Sequence, residues 1–284
     1  MKIKERPEDF VVEEVIELDK TPGDYLYIKL IKKNRNTLDV INEISRKLRI
    51  PRRNISFAGT KDKVAITTQY ISLYKANKKQ VLNLKPKDVE LIPLHNGSKP
   101  ISLGDLKGNN FKIKIDFTPK KITKIINYFG PQRFSENNFE VGKAIVKKDF
   151  KKAIKLIGIE DSDPIKAITN LDKKLVSLYI NSYQSYLWNK IAEVLPKDKD
   201  IEIPLFTFDI EYPNKEIESI YAAILDQEAI TKKDFIIRAL PNATPLASSR
   251  SLFAPIKNFK FEKPVVSFFL PKGVYATVAL EQMM

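Results

Sequence analysis

In its most informative stretch the chain reads Phe57-Ala58-Gly59-Thr60-Lys61-Asp62-Lys63-Val64-Ala65-Ile66-Thr67-Thr68-Gln69. Alternating apolar residues before it and β-branched residues after it predict two strands joined by a short loop. Asp62 lies on that loop between two lysines, whose charges favour an ionised carboxylate and a polyanion nearby. A side chain on a loop that leaves a sheet can face a cleft, so the stretch predicts a reactive aspartate. A solvated turn with a local ion pair is the alternative.

The same stretch resembles the signature A-G-x-K-D-x-x-A-x-T-x-Q of the TruD family of tRNA pseudouridine synthases, and every fixed position is present. Five further segments resemble elements of this family and follow in the family's order: Lys4–Glu14, Arg35–Thr37, Leu103–Phe111, Asn127–Phe134 and Leu270–Thr277. Each motif alone would be weak evidence, but the six together extend over almost the whole chain. The resemblance is to an archaeal-type member of the family.

The resemblance implies an α+β fold with two parts. One is a pseudouridine synthase catalytic core with a central mixed or antiparallel sheet, built from residues 1–148 and 254–284. The other is a family-specific inserted α+β domain, the TRUD domain, spanning residues 149–253. The sequence pattern agrees with such a change, because strand patterns dominate both ends of the chain and helical patterns dominate residues 139–195.

Several local elements can be placed from periodicity and turn residues. Helices are expected at residues 37–49, 119–128 and 171–195, and the last of these is the longest. Strands are expected within residues 9–31 and at residues 111–117, 204–210, 235–240 and 264–280.

The resemblance also implies the reaction. Pseudouridine formation breaks the N-glycosidic bond of a uridine, turns the base and rejoins it through carbon, so no atom is gained or lost. No cofactor or metal is expected, and the chain contains no G-x-G-x-x-G, no G-x-x-x-x-G-K-[ST] and no metal-ligand cluster. By resemblance Asp62 is the catalytic nucleophile, although attack on the sugar and assistance to base departure both remain open. Lys4 is its expected charge partner. Lys61 is the alternative, which an extended backbone would direct away from Asp62.

The target base must leave its stack to be reached, so aromatic faces and hydrogen-bonding groups are expected near Asp62. By resemblance Phe10 and Tyr275 contact the uracil ring, and Asn127 bonds its edge. The remaining expected substrate-binding residues are Phe129, Gln69 and Arg133. The first of these could equally be a core residue, and the last could position the RNA backbone or brace the Asp62 loop.

The composition is strongly basic, with 49 Lys and Arg against 35 Asp and Glu and a formal net charge of +14. A charge of that size favours a polyanionic partner, and the resemblance makes that partner tRNA. Basic residues concentrate at 32–53 and 143–155, where phosphate contacts are expected from Arg46, Arg49, Arg52, Arg53, Lys147 and Lys148. A lysine-rich solvated surface, as in proteins from hot habitats, is the alternative explanation.

Other functional classes are disfavoured by composition. The chain has no cysteine, and its one histidine, His95, lies in a polar loop, which argues against a thiolate metal site or a histidine triad. No leader or membrane-spanning stretch is apparent, so we expect a cytoplasmic monomer without a membrane or protein partner. The expected activity is conversion of tRNA uridine 13 in the D-arm. The alternatives are other positions, such as uridine 35, and a non-catalytic RNA-binding protein.

Overall fold

The structure is a computed structural model that describes residues 3–135, 137–198 and 200–284. It separates into two compact units. The first consists of the chain up to Lys124 together with Pro255–Met284, and the second consists of Ile125–Ala254. Both combine helices and strands, which confirms the expected α+β class. In the described part of the chain, no helix has the length and apolar character needed to cross a membrane.

The strands are, in chain order, β1 (Phe10–Val15), β2 (Tyr25–Lys33), β3 (Ile55–Phe57), β4 (Ile66–Tyr74), β5 (Val89–Gly97), β6 (Gly108–Lys114), β7 (Lys124–Ile126), β8 (Glu202–Pro204), β9 (Ser249–Ser251), β10 (Phe253–Pro255), β11 (Lys257–Glu262) and β12 (Val265–Pro271). The helices are α1 (Thr37–Leu48), α2 (Lys78–Leu82), α3 (Pro131–Phe134), α4 (Asn138–Val146), α5 (Phe150–Ile157), α6 (Pro164–Thr169), α7 (Lys173–Val194), α8 (Lys215–Gln227) and α9 (Ala276–Met283).

The first unit is built on an eight-stranded sheet with the order β11-β12-β6-β1-β4-β2-β5, and β3 pairs with β4 off this path. β1 and β4 run parallel, whereas the other pairings with a defined register are antiparallel. The expected central mixed sheet is therefore confirmed. The parallel pair, with Val12 opposite Thr67, brings the N-terminal motif beside the strand that follows Asp62.

One face of β2 and one face of α1 form an apolar core in this unit. Each element shows its own period, two in the strand and about 3.6 in the helix. The helix begins after Asn36, whose side-chain oxygen accepts a hydrogen bond from the Leu38 amide at 2.8 Å, and it ends where Arg49 is left-handed. The expected helix at 37–49 is confirmed. The buried residues of this core include Leu26, Ile28, Leu30, Val40, Ile41 and Ile44.

The second unit is organised around α7, whose 22 residues confirm the expected long helix. Leu187, Trp188 and Ile191 on this helix are fully buried. The helix α4 packs closely against it at Gly142, where a Cβ would lie 2.0 Å from the Tyr179 carbonyl oxygen. A side chain at position 142 would therefore force the two helices apart. Two short sheets, β8 with β9 and β7 with β10, complete the described strands.

The expected helix at residues 119–128 is wrong. This segment contains the short strand β7, after which the Asn127 amide donates a hydrogen bond to the Leu252 carbonyl at 2.8 Å. Ile122, Ile125 and Ile126 are β-branched, so the backbone favours an extended conformation once a partner strand is available.

The strand expected at residues 264–280 is correct only as far as Pro271. Gly273 then takes a φ of +78°, the chain turns, and α9 follows. Alanine, leucine, glutamine and methionine in this last stretch have high helix propensity, which outweighs its β-branched residues.

Three further strand predictions are wrong: two in the bounds of the strand, and one because the segment contains no strand. The strand expected at 111–117 is displaced towards the N-terminus, since β6 ends at Lys114. In the segment 204–210, only Pro204 belongs to a strand. The segment 235–240 holds no strand, and Phe235 instead ends a 3-10 turn. Short apolar runs of this kind do not carry enough periodicity to separate strands from turns.

Candidate active site

The loop between β3 and β4 carries Asp62 and is tied down by hydrogen bonds near its start. The carbonyl of Ala58 accepts from the Gly104 amide at 2.8 Å, which joins this loop to the turn before β6. The carbonyl of Gly59 accepts from Gln69 Nε2 at 3.2 Å. The segment leading to Asp62 is therefore fixed to both a neighbouring turn and the following strand.

The N-terminus of α1 supports the next part of the loop. The Lys61 amide donates to Thr37 Oγ1 at 3.1 Å, and this hydroxyl lies 3.1 Å from Gln69 Oε1, to which it donates. Thr37 and Gln69 are both buried, so no water competes for these bonds. One side-chain amide, that of Gln69, thus connects Gly59 and Thr37 across the base of the Asp62 loop.

The Asp62 carboxylate is paired with Lys4. Lys4 Nζ lies 2.6 Å from Asp62 Oδ2, and the two side chains are 19% and 32% exposed. Lys4 has a left-handed backbone, with φ at +62°, and precedes a 3-10 turn in which the Arg6 amide donates to Asp9 Oδ2 at 2.9 Å. The N-terminal motif therefore places the Lys4 ammonium group beside the Asp62 carboxylate.

Phe10 lies directly below this ion pair. The Lys4 ammonium lies 4.1 Å from the centre of the Phe10 ring, which is itself only 2% exposed and meets Phe111 edge to face at 6.0 Å. A cation over an aromatic face is attracted to it, so the ring helps to hold Lys4 in place. Tyr275, at the start of α9, is half-buried in the same unit.

Lys61 is directed away from Asp62, as its position in the chain predicts. Its ammonium forms an ion pair with Glu14 Oε2, and the other oxygen of Glu14 accepts from the Tyr70 amide at 3.1 Å. The Lys61 and Glu14 side chains are 7% and 0% exposed. Lys61 is thus a structural anchor of the loop, and its charge is already neutralised.

A second buried lysine lies under the loop. Lys32 Nζ donates to the Asp62 carbonyl at 2.7 Å and lies 3.4 Å from the Lys61 carbonyl. Lys32 is 1% exposed. Burial lowers the pKa of Lys32 to about 8, against the attraction of Asp62 and with the repulsion of Lys61. This side chain contacts the backbone of Asp62 from the interior side, while Lys4 contacts its carboxylate.

Three of the expected substrate-binding residues belong to the second unit, where two of them surround Arg250. Asn127 is 7% exposed; its Oδ1 accepts from Arg250 at 2.5 Å, and its Nδ2 donates to the Ser251 carbonyl at 3.2 Å. The Arg250 guanidinium lies 4.2 Å from the centre of the Phe129 ring, which meets Trp188 edge to face. The third, Arg133, donates from Nε to the Ser185 hydroxyl at 3.2 Å on α7.

The residues expected to bind the RNA backbone fall into two groups. Arg46, Arg49, Arg53 and Lys147 have exposed side chains. Arg52 is half-buried and Lys148 is exposed, and both are bonded to backbone carbonyls of the protein. Arg52 donates to the Ile55 carbonyl at 2.7 Å, and Lys148 donates to the Val146 carbonyl at 2.8 Å. Burial lowers the pKa of both side chains.

The sequence patterns contained signals for site residues that periodicity alone did not assign. Lys32 falls on the buried face of β2, two residues after Leu30, and Glu14 falls on the buried face of β1, two residues after Val12. A charged residue at an interior position of an alternating strand must be paired or functional, because burying an isolated charge is costly. Thr37 gave no such signal beyond its place at the start of a helix.

The arrangement offers a partly exposed carboxylate beside an ammonium group. Such a carboxylate can act on a bound molecule as a nucleophile or as a base. Among residues 3–135, 137–198 and 200–284, no group of three or more His, Asp or Glu side chains is placed to hold a metal ion. The candidate reactive group that the structure brings together with cations is the Asp62 carboxylate.

Comparison with known proteins yields matches over the whole chain. The family model described as tRNA pseudouridine synthase D (TruD) matches residues 1–162 and 192–283. A probable tRNA pseudouridine synthase D from Nanoarchaeum equitans is 30% identical, with 100% of this chain and 98% of that protein covered. A tRNA pseudouridine synthase D from Aquifex aeolicus is 27% identical, with 100% and 98% covered.

The fold has a counterpart of known structure. The crystal structure of a provisionally assigned tRNA pseudouridine synthase D (TruD) from Methanosarcina mazei superposes with a TM-score of 0.75 at 23% identity, covering 100% of this chain and 93% of that one. Fold and family matches together make this chain a pseudouridine synthase, and hence an isomerase. Within that class it belongs to the TruD family.

Proposed function

We propose that this enzyme isomerises uridine to pseudouridine in tRNA, at position 13 of the D-arm, with Asp62 as the catalytic residue. The observation that carries this proposal is the Asp62 carboxylate, partly exposed and 2.6 Å from Lys4, on a loop fixed by Thr37 and Gln69. The names of the relatives support tRNA as the substrate. The basic composition supports a polyanion in general.

The reaction needs an ionised carboxylate against the ribose of the target uridine. The bond from N1 to the sugar breaks, the base turns, a bond from C5 to the sugar forms, and the C5 proton is replaced by one on N1. Asp62 acts as nucleophile at the sugar or promotes departure of the base. Both routes require the carboxylate to face the sugar, and the Lys4 ammonium lies 2.6 Å from its Oδ2.

Phe10 and Tyr275 are the proposed aromatic contacts of the flipped uracil. Roles in substrate binding are also proposed for Asn127, Phe129 and Arg133. For Gln69 we propose a positioning role rather than direct binding of the substrate. It is fully buried, and both ends of its amide are engaged by the Asp62 loop and α1.

The two units are proposed to divide the work. Residues 1–148 and 254–284, which include Asp62, are proposed as the catalytic domain, and residues 149–253 as the inserted domain. The compact units divide the chain after Lys124 and after Ala254. Exposed basic side chains are proposed to contact RNA phosphates, namely Arg46, Arg49, Arg53 and Lys147. Arg52 and Lys148 are left out of this set, because their side chains donate to the backbone carbonyls of Ile55 and Val146.

The test is to map the product. Purified protein is incubated with unmodified tRNA transcript, and pseudouridine is located by carbodiimide labelling and primer extension. We expect one new pseudouridine at position 13 with the wild type and with Asp88→Asn, and none with Asp62→Asn. Asp88 is a matched control because it is exposed and its left-handed backbone suits asparagine. Pseudouridine at another tRNA position would contradict the assignment of position 13. Pseudouridine formed by Asp62→Asn would contradict the catalytic role of Asp62.

A further inference from the structure

Lys32 is a lysine in a place where lysines are rarely found. It continues the buried face of β2 after Leu26, Ile28 and Leu30, and its side chain is 1% exposed. Its register partners on the two neighbouring strands, Thr67 and Val89, carry no charge. Removing an ammonium group from water is costly unless it is well bonded, so this charge needs a reason.

The bonds of Lys32 all go to one place. Its ammonium donates to the Asp62 carbonyl at 2.7 Å and lies 3.4 Å from the Lys61 carbonyl. Two consecutive carbonyls of the loop thus point at one buried group. Asp62 is thereby held from both sides, by Lys32 through its backbone and by Lys4 through its carboxylate.

The charges around the loop are not balanced. Lys61 is neutralised by Glu14, and Lys4 is paired with Asp62. Among the described residues, no carboxylate lies within ion-pair distance of Lys32. The charged groups that face it are Asp62, which attracts it, and Lys61, which repels it. The loop therefore retains one buried positive charge beyond those its carboxylates neutralise.

We propose that Lys32 is a positioning residue for catalysis: by binding the carbonyls of Asp62 and Lys61 from the interior, it fixes the direction in which the Asp62 side chain leaves the loop when RNA is bound. This inference rests on the proposed role of Asp62. The phosphates of bound RNA attract lysines at the protein surface, whereas a buried cation cannot exchange its partners for them. Lys4 is partly exposed and can be drawn towards the RNA, whereas Lys32 cannot.

The test compares Lys32→Met, Lys32→Arg and the control Lys29→Met, which lies on the opposite face of the same strand and is partly exposed. Single-turnover rates on tRNA transcript are measured at saturating enzyme, together with tRNA affinity and the midpoint of thermal unfolding. A misplaced carboxylate slows the reaction, so we expect Lys32→Met to lose about 100-fold in rate with little change in affinity. Lys32→Arg should recover at least part of that loss, and Lys29→Met should match the wild type.

Stability separates positioning from a merely structural role. Methionine fills similar space and removes an unpaired buried charge, so Lys32→Met should unfold at the same temperature as the wild type or higher. A rate within about threefold of the wild type would overturn the proposal. So would a lower unfolding temperature with a rate that returns to the wild-type value on cooling, because the lysine would then serve only the fold.

The pH profile keeps the proposal testable if Lys32→Met fails to fold. Above about pH 8 the wild type should lose rate in a single-proton step as Lys32 loses its charge, whereas Lys32→Arg should not. The ratio of the two rates cancels titration of the uracil itself, and a ratio independent of pH would contradict the proposal. Asp62→Asn is measured in parallel. If Asp62→Asn is active, the proposed function is wrong. If Asp62→Asn is inactive and Lys32→Met is active, only the inference about Lys32 is wrong.

Discussion

Each unit contains a cluster of lysines around a carboxylate. In one cluster the carboxylate is buried, and in the other a lysine is. In the second unit the carboxylate of Glu228 is buried, at 6% exposure, and its partners Lys143 and Lys190 are 36% and 32% exposed. In the first unit the carboxylate of Asp62 is 32% exposed, and the lysine beneath it, Lys32, is 1% exposed. Glu228 is thus a buried carboxylate with partly exposed partners, whereas Asp62, the proposed catalytic residue, is a partly exposed carboxylate above a buried lysine.

The Glu228 cluster is complete within the protein. Burial would raise the pKa of Glu228, but the hydrogen bond and charge of Lys143, the Tyr183 hydroxyl and the charge of Lys190 hold it below its ordinary value. Lys143 and Lys190 are partly exposed and remain hydrated, so their surplus positive charge costs little stability. Around Asp62 the surplus charge has no water, and it is the carboxylate that faces the solvent. A buried surplus charge destabilises the fold, so we attribute it to the proposed catalytic role of Asp62.

Replacing the partner lysine should change the reaction rate in the Asp62 cluster and leave it unchanged in the Glu228 cluster. We expect Lys4→Met to slow single-turnover pseudouridine formation about 100-fold, because the Asp62 carboxylate loses the ammonium group that holds it in place. Lys143→Met should leave the rate unchanged. Rates at saturating enzyme check this, and equal rates for the two variants would erase the distinction between the clusters.

Charge removal on the exposed surface should change binding but not chemistry. In the triple variant of Arg46, Arg49 and Arg53 to alanine, the slope of log affinity against log salt should fall by about one unit for each RNA phosphate that is no longer neutralised. Arg52 is excluded because it bonds the Ile55 carbonyl. Titrations with tRNA at several salt concentrations measure the slope. An unchanged slope would make this basic run a solvated face.

The Glu228 carboxylate should matter for stability alone. Glu228→Gln leaves Lys143, Lys190 and the Tyr183 hydroxyl without their anionic acceptor, which we expect to lower the free energy of unfolding by about 1–3 kcal/mol. The estimate is kept small because both lysines are about a third exposed. Urea unfolding measures the loss, and single-turnover rates below the transition should equal the wild type. A slowed reaction in the folded variant would give Glu228 a functional part.

A further effect concerns alkaline stability. The pKa of Lys32 is about 8 in the folded protein, below its ordinary value of 10.5, so between these two values the unfolded chain binds more protons. The free energy of unfolding should therefore rise with pH across this interval. Lys32→Met lacks this contribution, so the stability advantage of the variant at pH 7.5 should shrink towards pH 10.5. Urea midpoints at three pH values suffice, and a gap that widens would mean that the lysine is stabilised by its surroundings.

The elements around Asp62 follow from sequence because their signals are local. The alternation of β2, the stripe and cap of α1 and the break between β3 and β4 each arise within a few residues. The turn at Gly273 defeated the prediction for the C-terminus, since a short apolar segment there suits either a strand or a helix. Residues 119–128 failed for a related reason, because β7 depends on a partner strand distant in the chain.

The site was predictable in its reacting group and less so in its supports. Asp62 and Lys4 stand in recognisable motifs, and the structure brings the two together. Gln69 was expected to touch the substrate, but its buried amide joins the loop to α1, a relation that only the packed structure reveals. Lys32 was visible as a charge on an apolar strand face. Its bond to the Asp62 carbonyl depends on a loop 30 positions away in sequence.

The most direct test of this account is the single-turnover rate of Asp62→Asn beside Glu228→Gln, each with its tRNA affinity and unfolding midpoint. Asparagine keeps the size of aspartate and removes its charge, so we expect no detectable pseudouridine, near-normal tRNA affinity and an unfolding midpoint close to the wild type. Glu228→Gln should show the reverse, with normal rate and lowered stability. Activity of Asp62→Asn within about tenfold of the wild type, in folded protein, would contradict the claim that its exposed carboxylate performs the chemistry.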